Sequence, residues 1–253
     1  LAGGTDLFAT PQSPSAPEGW LDLGALEALK GWREDAGPDG ACLRLGALTP
    51  WSAIVRGGFP AWGRALVQAA REIGGVQIQN RGTVGGNLCH ASPAADGVPA
   101  LIALDARVEL RRQGGSREIA LADFVLGPRR TDRRPDELLT AIVLPSPAPG
   151  ARSSFVKLGH RRYLVIAIAS VALSLSLGGD SRVRRVRVAV GACGPRASRL
   201  ATLEQRLTGL AAPLDPDTVW RCADADALTA LTPIDDVRGT ADHRRDAVRH
   251  LLS

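Results

Sequence analysis

Residues 82–106, GTVGGNLCHASPAADGVPALIALDA, decide the fold of this chain. Two adjacent glycines, Gly85 and Gly86, stand between Thr83 and Asn87, and a Ser-Pro pair, an acid and an apolar run follow them. Glycines lack a Cβ, so backbone N–H groups can approach a ligand closely, and consecutive N–H groups form an anion-binding nest. Thr83 and Asn87 would add side-chain donors. The stretch therefore predicts either an anion-binding loop or a tight turn, and both interpretations stay open.

A second loop, AGGTD at residues 2–6, repeats this design with a glycine pair, a hydroxyl and an acid. Two such loops in one domain would hold a diphosphate from both sides. The G-x-G-x-x-G and G-x-x-x-x-G-K-[ST] signatures are both absent from the sequence. A nucleotide bound here would therefore be held by neither a Rossmann turn nor a Walker loop.

The composition is typical of a globular protein with a substantial core. The 253 residues are 45% apolar and 23% charged, which allows one large domain or two small ones. No apolar run reaches the roughly 20 residues of a membrane span, and no export leader is recognised, so we expect a cytoplasmic protein. The net charge of +5 is spread among acids with few aromatics, which favours a solvated surface over a nucleic-acid face. We expect the natural chain to begin upstream of Leu1, because the first glycine loop needs a strand to aim it.

The thiols and imidazoles give no sign of a metal site or of a catalytic group. Cys42, Cys89, Cys193 and Cys222 are scattered without a C-x-x-C pair, which favours structural thiols in a reducing compartment. The four histidines show no metal-ligand spacing with them. No serine–histidine–acid or paired-carboxylate arrangement stands above chance. We therefore predict no metal and no catalytic residue in this chain.

Hydrophobic patterning predicts two halves that differ in organisation. The Pro/Gly/Ser-rich segment 145–154 is the candidate boundary between them, after a Pro/Ser loop at residues 10–19 in the first half. The first half mixes helices at 51–73 with a short strand and turn at 20–29, strands at 41–50 and 138–145, and an edge strand at 106–113. The second half follows a ββααα order, with strands at 163–177 and 183–194 and helices at 197–210, 215–228 and 239–252.

The Ser92-Pro93 pair predicts a helix start, with Ser92 as the N-cap. Asp96 then has two open interpretations. It is either a capping acid, or a functional carboxylate that accepts a hydrogen bond from a ribose hydroxyl or a ring N–H.

Five segments in their order along the chain carry a resemblance to a known family. They are AGGTDL (2–7), QNRGTVGGNLCHASPAADGVPALIALDARVEL (79–110), LLTAIVLP (138–145), SSFVKLGHRRYLVIAIASVAL (153–173) and IDDVRGTADHRRDAVRHLL (234–252). Together they resemble the FAD-binding medium subunit of the molybdenum hydroxylases, the family of carbon monoxide dehydrogenase, xanthine dehydrogenase, nicotinate dehydrogenase and the aldehyde oxidoreductases. The resemblance spans nearly the whole sequence. Its T-x-G-G-N…A-S-P-x-x-D pattern is very specific, and the D-x-R-G-[ST]-A-x-x-R ending supports it independently.

The resemblance implies an α+β fold in two domains. Residues 1–147 would form a two-lobed, vanillyl-alcohol-oxidase-like FAD-binding domain, with part of its N-terminal lobe missing from this sequence. Residues 152–253 would form the carbon monoxide dehydrogenase flavoprotein-like C-terminal domain, a three-stranded antiparallel sheet with three helices.

The resemblance also implies a set of FAD-binding residues. The loops at 2–6 and 83–87 would bind the diphosphate, Asp96 would make a polar contact to the cofactor, and Leu139 would lie against it. Lys157, one of two lysines in the chain, would complete the site, although a surface role for it stays open. The full set is Ala2, Gly3, Gly4, Thr5, Asp6, Thr83, Gly85, Gly86, Asn87, Ser92, Asp96, Leu139 and Lys157. The chain departs from many relatives at Val165 and Ile166, which stand where an acid is common.

In such a complex the chemistry of the substrate would take place on another chain. A large molybdopterin subunit would oxidise it, and a small subunit with two [2Fe-2S] clusters would pass electrons to FAD in this chain. The acceptor would be NAD, a quinone, another carrier or oxygen, and the heterotrimer would pair into a dimer of heterotrimers. Two alternatives remain: a flavin-poor structural or assembly subunit of the same complex, and a stand-alone FAD-dependent oxidase.

Overall fold

The computed structural model describes residues 1–9, 19–38 and 40–253 of the chain. The Pro/Ser loop predicted at residues 10–19 lies, apart from Gly19, outside the described residues. In the part of the chain that is described, no helix is long and apolar enough to cross a bilayer. The same residues contain no group of three His, Cys, Asp or Glu side chains placed to hold a metal ion.

The helices and strands alternate irregularly along the first half and separate in the second. The α-helices are α1 (Trp51–Arg56), α2 (Arg64–Glu72), α3 (Val76–Arg81), α4 (Val84–His90), α5 (Gly97–Ala103), α6 (Leu121–Phe124), α7 (Ala201–Leu207), α8 (Pro216–Cys222) and α9 (Ala241–Leu252). The strands are β1 (Trp32–Gly37), β2 (Gly40–Gly46), β3 (Arg107–Arg112), β4 (Gly115–Ala120), β5 (Val125–Gly127), β6 (Arg130–Thr131), β7 (Leu138–Pro145), β8 (Arg152–Leu158), β9 (Ala169–Leu177), β10 (Val183–Gly191) and β11 (Ser198–Arg199). The α+β class is confirmed.

The first half is built on an antiparallel five-stranded sheet in the order β1-β2-β7-β3-β4. Alternate residues of its inner strands, such as Leu45, Val108 and Ile142, are buried in one core with α1, α2, α4 and α5. The opposite face is polar, and there the buried Glu109 accepts hydrogen bonds from Arg111 and Thr140. Because this face is polar, the helices, and with them the glycine loops, lie on the other, apolar side of the sheet.

Two strand predictions in the first half are wrong. The strand at 106–113 is not an edge, because β3 pairs with β4 on one side and β7 on the other. Its alternation reflects the polar outer face around Glu109, where charged residues resemble those of an exposed edge. Of the short strand and turn predicted at 20–29, the turn is present, because Glu27–Leu29 form a 3₁₀ turn, but the strand is absent. The first strand, Trp32–Gly37, is largely exposed, and its sequence WREDAG lacks the β-branched residues that would have indicated it.

The second half contains the antiparallel strands β8, β9 and β10, and β11 adds two residues at one edge. The hydrophobic pattern predicted β9 and β10 but missed β8, the third strand that the family resemblance implies. One face of this sheet packs against α7 and α9, and the other packs against α2 and α5 of the first half. The strand predicted at 163–177 begins only at Ala169, because residues 160–168 form a loop, mostly exposed as far as Ile166, in which Leu164 has φ +54°. Part of this loop forms a wall of the candidate site.

Candidate functional site

The two glycine loops face each other across a cleft of ≈ 490 Å³. Residues 2–7 form one side, and the start and end of α4 form the other. The remaining wall is apolar and comes from α1, α2 and α3. The lining residues are Ala2, Gly3, Gly4, Thr5, Asp6, Leu7, Trp51, Ile73, Ile78, Gly82, Thr83, Gly86, Asn87, Cys89 and His90. The structure therefore brings together eight of the predicted cofactor-binding residues in one cleft.

Thr83 is the N-cap of α4, and its hydroxyl oxygen acts as an acceptor there. Its Oγ1 accepts a hydrogen bond from the Gly86 amide at 3.0 Å, as capping threonines do. The Gly85 amide donates to the Ala47 carbonyl at 2.8 Å. Both glycine amides thus have protein acceptors, so the nest predicted at Gly85 and Gly86 is not formed. Gly85 is also absent from the cleft lining.

Close packing explains why residue 85 is a glycine. A Cβ at this position would lie 2.7 Å from the Ala47 Cβ and 2.8 Å from its carbonyl oxygen, and neither group can move freely. We therefore expect Gly85→Ala to lower the free energy of unfolding of the FAD-free chain by about 1–3 kcal/mol, the usual cost of overpacking. Urea denaturation measures this. Gly115→Ala is the matched control, because nothing lies within 4 Å of its Cβ position. Equal stability of the two variants would refute the packing explanation.

The loop at residues 2–6 holds the amides that a ligand can use. Gly4 has φ +71°, a left-handed conformation that favours glycine, and a Cβ on Gly3 would lie 1.8 Å from the Arg81 carbonyl oxygen. Among the described residues, the amides of Gly3, Gly4 and Thr5 have no hydrogen-bond acceptor. The unpaired amides therefore belong to the first loop, which packs against Arg81 and Gly82 just ahead of the second loop.

A charged cluster at the cleft includes two residues that the sequence did not indicate. Asp6 Oδ2 lies 3.0 Å from His90 Nδ1 and 3.0 Å from an Arg129 guanidinium nitrogen. Burial lowers the pKa of His90, although Asp6 opposes this effect. His90 follows Asn87 by three residues in α4, and this spacing places both on one face of a helix. The helical spacing from Asn87 could have indicated from the sequence that His90 lies at the site. Arg129 lies in a turn far away in the sequence, and no local pattern indicates it.

A second cavity of ≈ 460 Å³ continues the cleft, and Ile73, Ile78 and Asn87 line both parts. The two parts together are called the groove below, and the second part is its inner end. The inner end is lined by Glu72, Ile73, Gly74, Gly75, Gln77, Ile78, Asn87, Ser92, Ala94, Ala95, Asp96, Leu164, Val165 and Ile166. Val165 and Ile166, which depart from the family pattern, are therefore wall residues of the groove.

Asp96 and Lys157 form a buried ion pair at the inner end. Lys157 Nζ lies 2.6 Å from Asp96 Oδ2 and also donates to the Glu72 carbonyl at 3.3 Å. Burial raises the pKa of Asp96 to about 6, although the lysine opposes the shift. The Asp96 side chain caps nothing, even though the residue stands at the N-cap of α5. The Lys157 side chain is only 4% exposed. The capping role of Asp96 and the surface role of Lys157 are both excluded.

Ser92 and Leu139 do not lie where their expected roles, helix cap and cofactor contact, would place them. Ser92 Oγ accepts from the Ala94 amide at 3.3 Å within a turn, and α5 begins only at Gly97, so Ser92 is not a helix cap. It nevertheless lines the inner end of the groove. Leu139 is buried in β7 opposite Leu110 and lines neither part of the groove. Its contact with a cofactor stays a prediction.

The donors and acceptors of the groove fit a flavin dinucleotide. Asn87 Oδ1 and Asp96 Oδ1 are buried and have no hydrogen-bond partner among the described residues. Buried polar atoms without partners are costly, so a native chain keeps them where a ligand supplies the partner. These oxygens suit ring or ribose donors, and the unpaired amides of loop 2–6 suit a diphosphate. Thus one molecule with an anionic middle and N–H or O–H groups beyond it would satisfy both parts.

Residues 1–147 match the family described as "FAD binding domain in molybdopterin dehydrogenase". The chain belongs to this flavoprotein family. Residues 154–253 of the flavoprotein match the "CO dehydrogenase flavoprotein C-terminal domain". Because the two matches cover both halves of the chain, the family resemblance of the sequence motifs is confirmed.

Individual relatives of the flavoprotein agree with this assignment. The nicotine 6-hydroxylase medium subunit of Paenarthrobacter nicotinovorans is 32% identical over 255 residues, which cover 100% of this chain and 86% of the relative. The carbon monoxide dehydrogenase medium chain of Hydrogenophaga pseudoflava is 31% identical and covers 96% of this chain, with 83% of its own length. A solved structure of carbon monoxide dehydrogenase from Hydrogenophaga pseudoflava superimposes with a TM-score of 0.88 at 29% identity, over 100% of this chain and 85% of that one.

Proposed function

We propose that this chain binds one FAD in the groove and acts as the electron-transfer subunit of a molybdopterin-dependent hydroxylase or dehydrogenase. The observation that carries the proposal is the pair of buried, unpartnered oxygens at the inner end, placed beyond a loop with unpaired amides. Loop 2–6 would hold the diphosphate, and Asn87 and Asp96 would accept hydrogen bonds from the ribose or the ring. Lys157, which does not line the groove, would act indirectly by keeping Asp96 in place.

The chain would supply binding, orientation and electrostatics, whereas the bound flavin would supply the redox chemistry between an electron donor and an electron acceptor. We propose a small subunit with two [2Fe-2S] clusters as the donor and a large molybdopterin subunit as the site of substrate oxidation, in the cytoplasm. The relatives named as medium subunits support companion chains. NAD, a quinone and oxygen are the candidate acceptors. A heterotrimer, and a dimer of heterotrimers, would follow from the same organisation.

A visible absorption spectrum of the purified full-length protein tests FAD binding. Denaturation and identification of the released cofactor should give about one FAD per chain. A colourless protein that stays colourless after incubation with FAD would contradict the proposal and favour the structural subunit. Isolation of the complex from its natural host should recover an iron–sulfur chain and a molybdopterin chain. Recovery of this chain alone under gentle conditions would favour a stand-alone oxidase.

Cys89 provides a direct probe of occupancy of the groove. Its side chain is exposed and lines the first part of the groove, whereas Cys42 and Cys193 are buried in the cores. We expect saturating FAD to slow alkylation of Cys89 by at least roughly 10-fold, because a bound dinucleotide covers a thiol that reacts only when it is accessible. Peptide mass spectrometry after iodoacetamide treatment measures the rate.

Cys222 is the internal control for this experiment, because it is partly exposed and lies on α8, away from the groove. Its alkylation rate should stay unchanged when FAD is added. Equal rates for Cys89 with and without bound FAD would show that FAD binds elsewhere.

A further inference from the structure

We propose that Arg244, on the last helix of the C-terminal domain, is a positioning residue for the part of FAD that occupies the inner end of the groove, because it holds both walls of that end. This inference rests on the proposed function and deepens it. Arg244 itself touches neither part of the groove. Its role is to hold two backbone segments that do.

Arg244 is buried within the C-terminal domain, with 1% of its surface exposed. Its guanidinium donates to the Ile168 carbonyl at 2.6 Å, to the Ala192 carbonyl at 3.0 Å and to Asp236 Oδ1 at 2.6 Å. The planar guanidinium presents its donors in a fixed fork, so these three acceptors are held in one relative arrangement. A lysine could not reproduce this arrangement.

The first wall held by Arg244 is the loop at residues 160–168. Ile168 lies two residues beyond Ile166, and Leu164, Val165 and Ile166 line the inner end of the groove. The same three residues also line an external groove formed with Asp236, Val237 and Arg238, and the exposed fractions of Leu164 and Ile166 are 57% and 59%. The wall is therefore one segment thick and faces space on both sides. The bond from Arg244 to the Ile168 carbonyl is one of the anchors of this wall, beside the bond from the Ile168 amide to the Leu158 carbonyl and the bonds from Arg161 to the Leu164 carbonyl.

The second wall is the segment that contains Ser92 and Asp96. The Ala192 amide donates to the Pro93 carbonyl at 3.1 Å, and the Ala192 carbonyl accepts from Arg244. Ala192 has φ +62°, a left-handed conformation that costs free energy for a non-glycine residue and persists only when its surroundings impose it. Ala192 thus links Arg244 to the loop that contains Asp96, through one hydrogen bond on each side.

Asp236 keeps the guanidinium in orientation. Hydrogen bonds from Arg238 and the charge of Arg244 hold the pKa of Asp236 at about 2, despite an opposing effect of burial. The carboxylate is therefore ionised at every pH at which the protein would be studied. Arg238 donates to Asp236 Oδ2 through two side-chain nitrogens, and Oδ1 accepts from both the Arg238 backbone amide and Arg244. The D-x-R-G-T-A-x-x-R ending of the sequence thereby acquires a physical role at the flavin site.

The test compares Arg244→Met and Arg244→Lys with Arg199→Met in the full-length chain. Arg199 is a matched control, because it pairs with Glu204 in its own domain and with Asp105 across the domain contact, away from both walls. The measurements are thermal unfolding, FAD affinity by fluorescence quenching, the visible circular dichroism of bound FAD, and amide exchange of residues 91–96 and 160–168 without FAD. The visible dichroism reports ring placement, which a loss of global stability alone does not move.

We expect Arg244→Met to weaken FAD binding at least roughly 10-fold, to change the visible dichroism and to accelerate exchange in both walls. Arg244→Lys should have an FAD affinity and wall exchange rates between those of Arg244→Met and the wild type. If Arg244→Met does not fold, the inference is tested with Arg244→Lys. Arg199→Met should lower the melting temperature and leave FAD affinity within about 2-fold. If the Arg244 variants show wild-type FAD affinity and wild-type visible dichroism, Arg244 is not a positioning residue, and the proposed function still stands. A wild-type chain that does not bind FAD would overturn the proposed function, and unchanged wall exchange would then overturn the positioning role independently.

Discussion

Lys157→Met should lower the free energy of unfolding by about 3–5 kcal/mol at pH 8, the typical cost of removing one partner from a buried ion pair. The reason is Asp96, whose carboxylate is 8% exposed and loses its only counter-charge among the described residues. Burial already raises the pKa of Asp96 to about 6 with the lysine present. Without the lysine the pKa rises further, and an ionised carboxylate at this site becomes more costly.

The pH dependence of this loss has a definite sign. A carboxyl group with a raised folded-state pKa binds its proton more tightly in the native than in the unfolded chain. Its favourable contribution is complete below pH ~4, the unfolded pKa, and disappears as pH rises through the folded value. The wild type should therefore lose about 2 kcal/mol from this group between pH 4 and pH 7. The penalty of Lys157→Met relative to wild type should be smallest near pH 4.5, where Asp96 is protonated.

The double variant Lys157→Met with Asp96→Asn separates charge from packing. Replacing both partners of a buried pair by neutral groups is often neutral or stabilising, so the double variant should recover most of the stability at pH 8. Urea denaturation of the FAD-free chain at pH 4.5 and pH 8 measures all three proteins. A loss in Lys157→Met that is the same at both pH values, or that persists in the double variant, would show that the lysine stem and not the ion pair provides the stability.

The sequence predicted the site more completely than it predicted the sheets. The two glycine loops lie on opposite sides of the groove, as expected, because glycine pairs and capping groups are specified by local chemistry. The edge strand at 106–113 was misjudged because a polar outer face and a solvent-exposed edge produce the same alternation. The strand at 32–37 escaped notice because WREDAG has almost no strand propensity, and its pairing with β2 decides its conformation.

The role of individual residues in the site depended on tertiary contacts. Gly85 was expected to present its amide to a phosphate, but only the structure shows that Ala47 occupies that direction. Lys157 lies 61 residues from Asp96, and no local pattern indicates that these two side chains meet. The contribution of Arg244 comes from a separate domain. Sequence motifs thus identified which segments form the groove, whereas the assignment of donors, supports and walls required the packing.

Asn87→Ala should change stability and FAD binding in opposite directions. The Asn87 side chain lies where the two parts of the groove meet, and its Oδ1 is buried without a hydrogen-bond partner among the described residues. Removing an unsatisfied acceptor and placing alanine inside α4 should raise the free energy of unfolding of the FAD-free chain by about 0.5–2 kcal/mol. The same change removes an acceptor that a ligand would satisfy. FAD affinity should therefore fall roughly 10- to 100-fold, the effect of losing a buried hydrogen bond worth about 1.4–2.8 kcal/mol.

Gln205→Ala is the matched control, because Gln205 is an exposed amide residue inside α7 and lines neither part of the groove. It should leave FAD affinity within about 2-fold of wild type. Thermal unfolding and fluorescence titration with FAD measure both proteins. A destabilised Asn87→Ala chain would mean that the Asn87 amide supports the fold, and unchanged affinity would mean that its oxygen does not meet the ligand. A gain in stability together with a loss of affinity is the result expected of a residue kept for binding, because sites that bind ligands retain polar groups at the expense of stability.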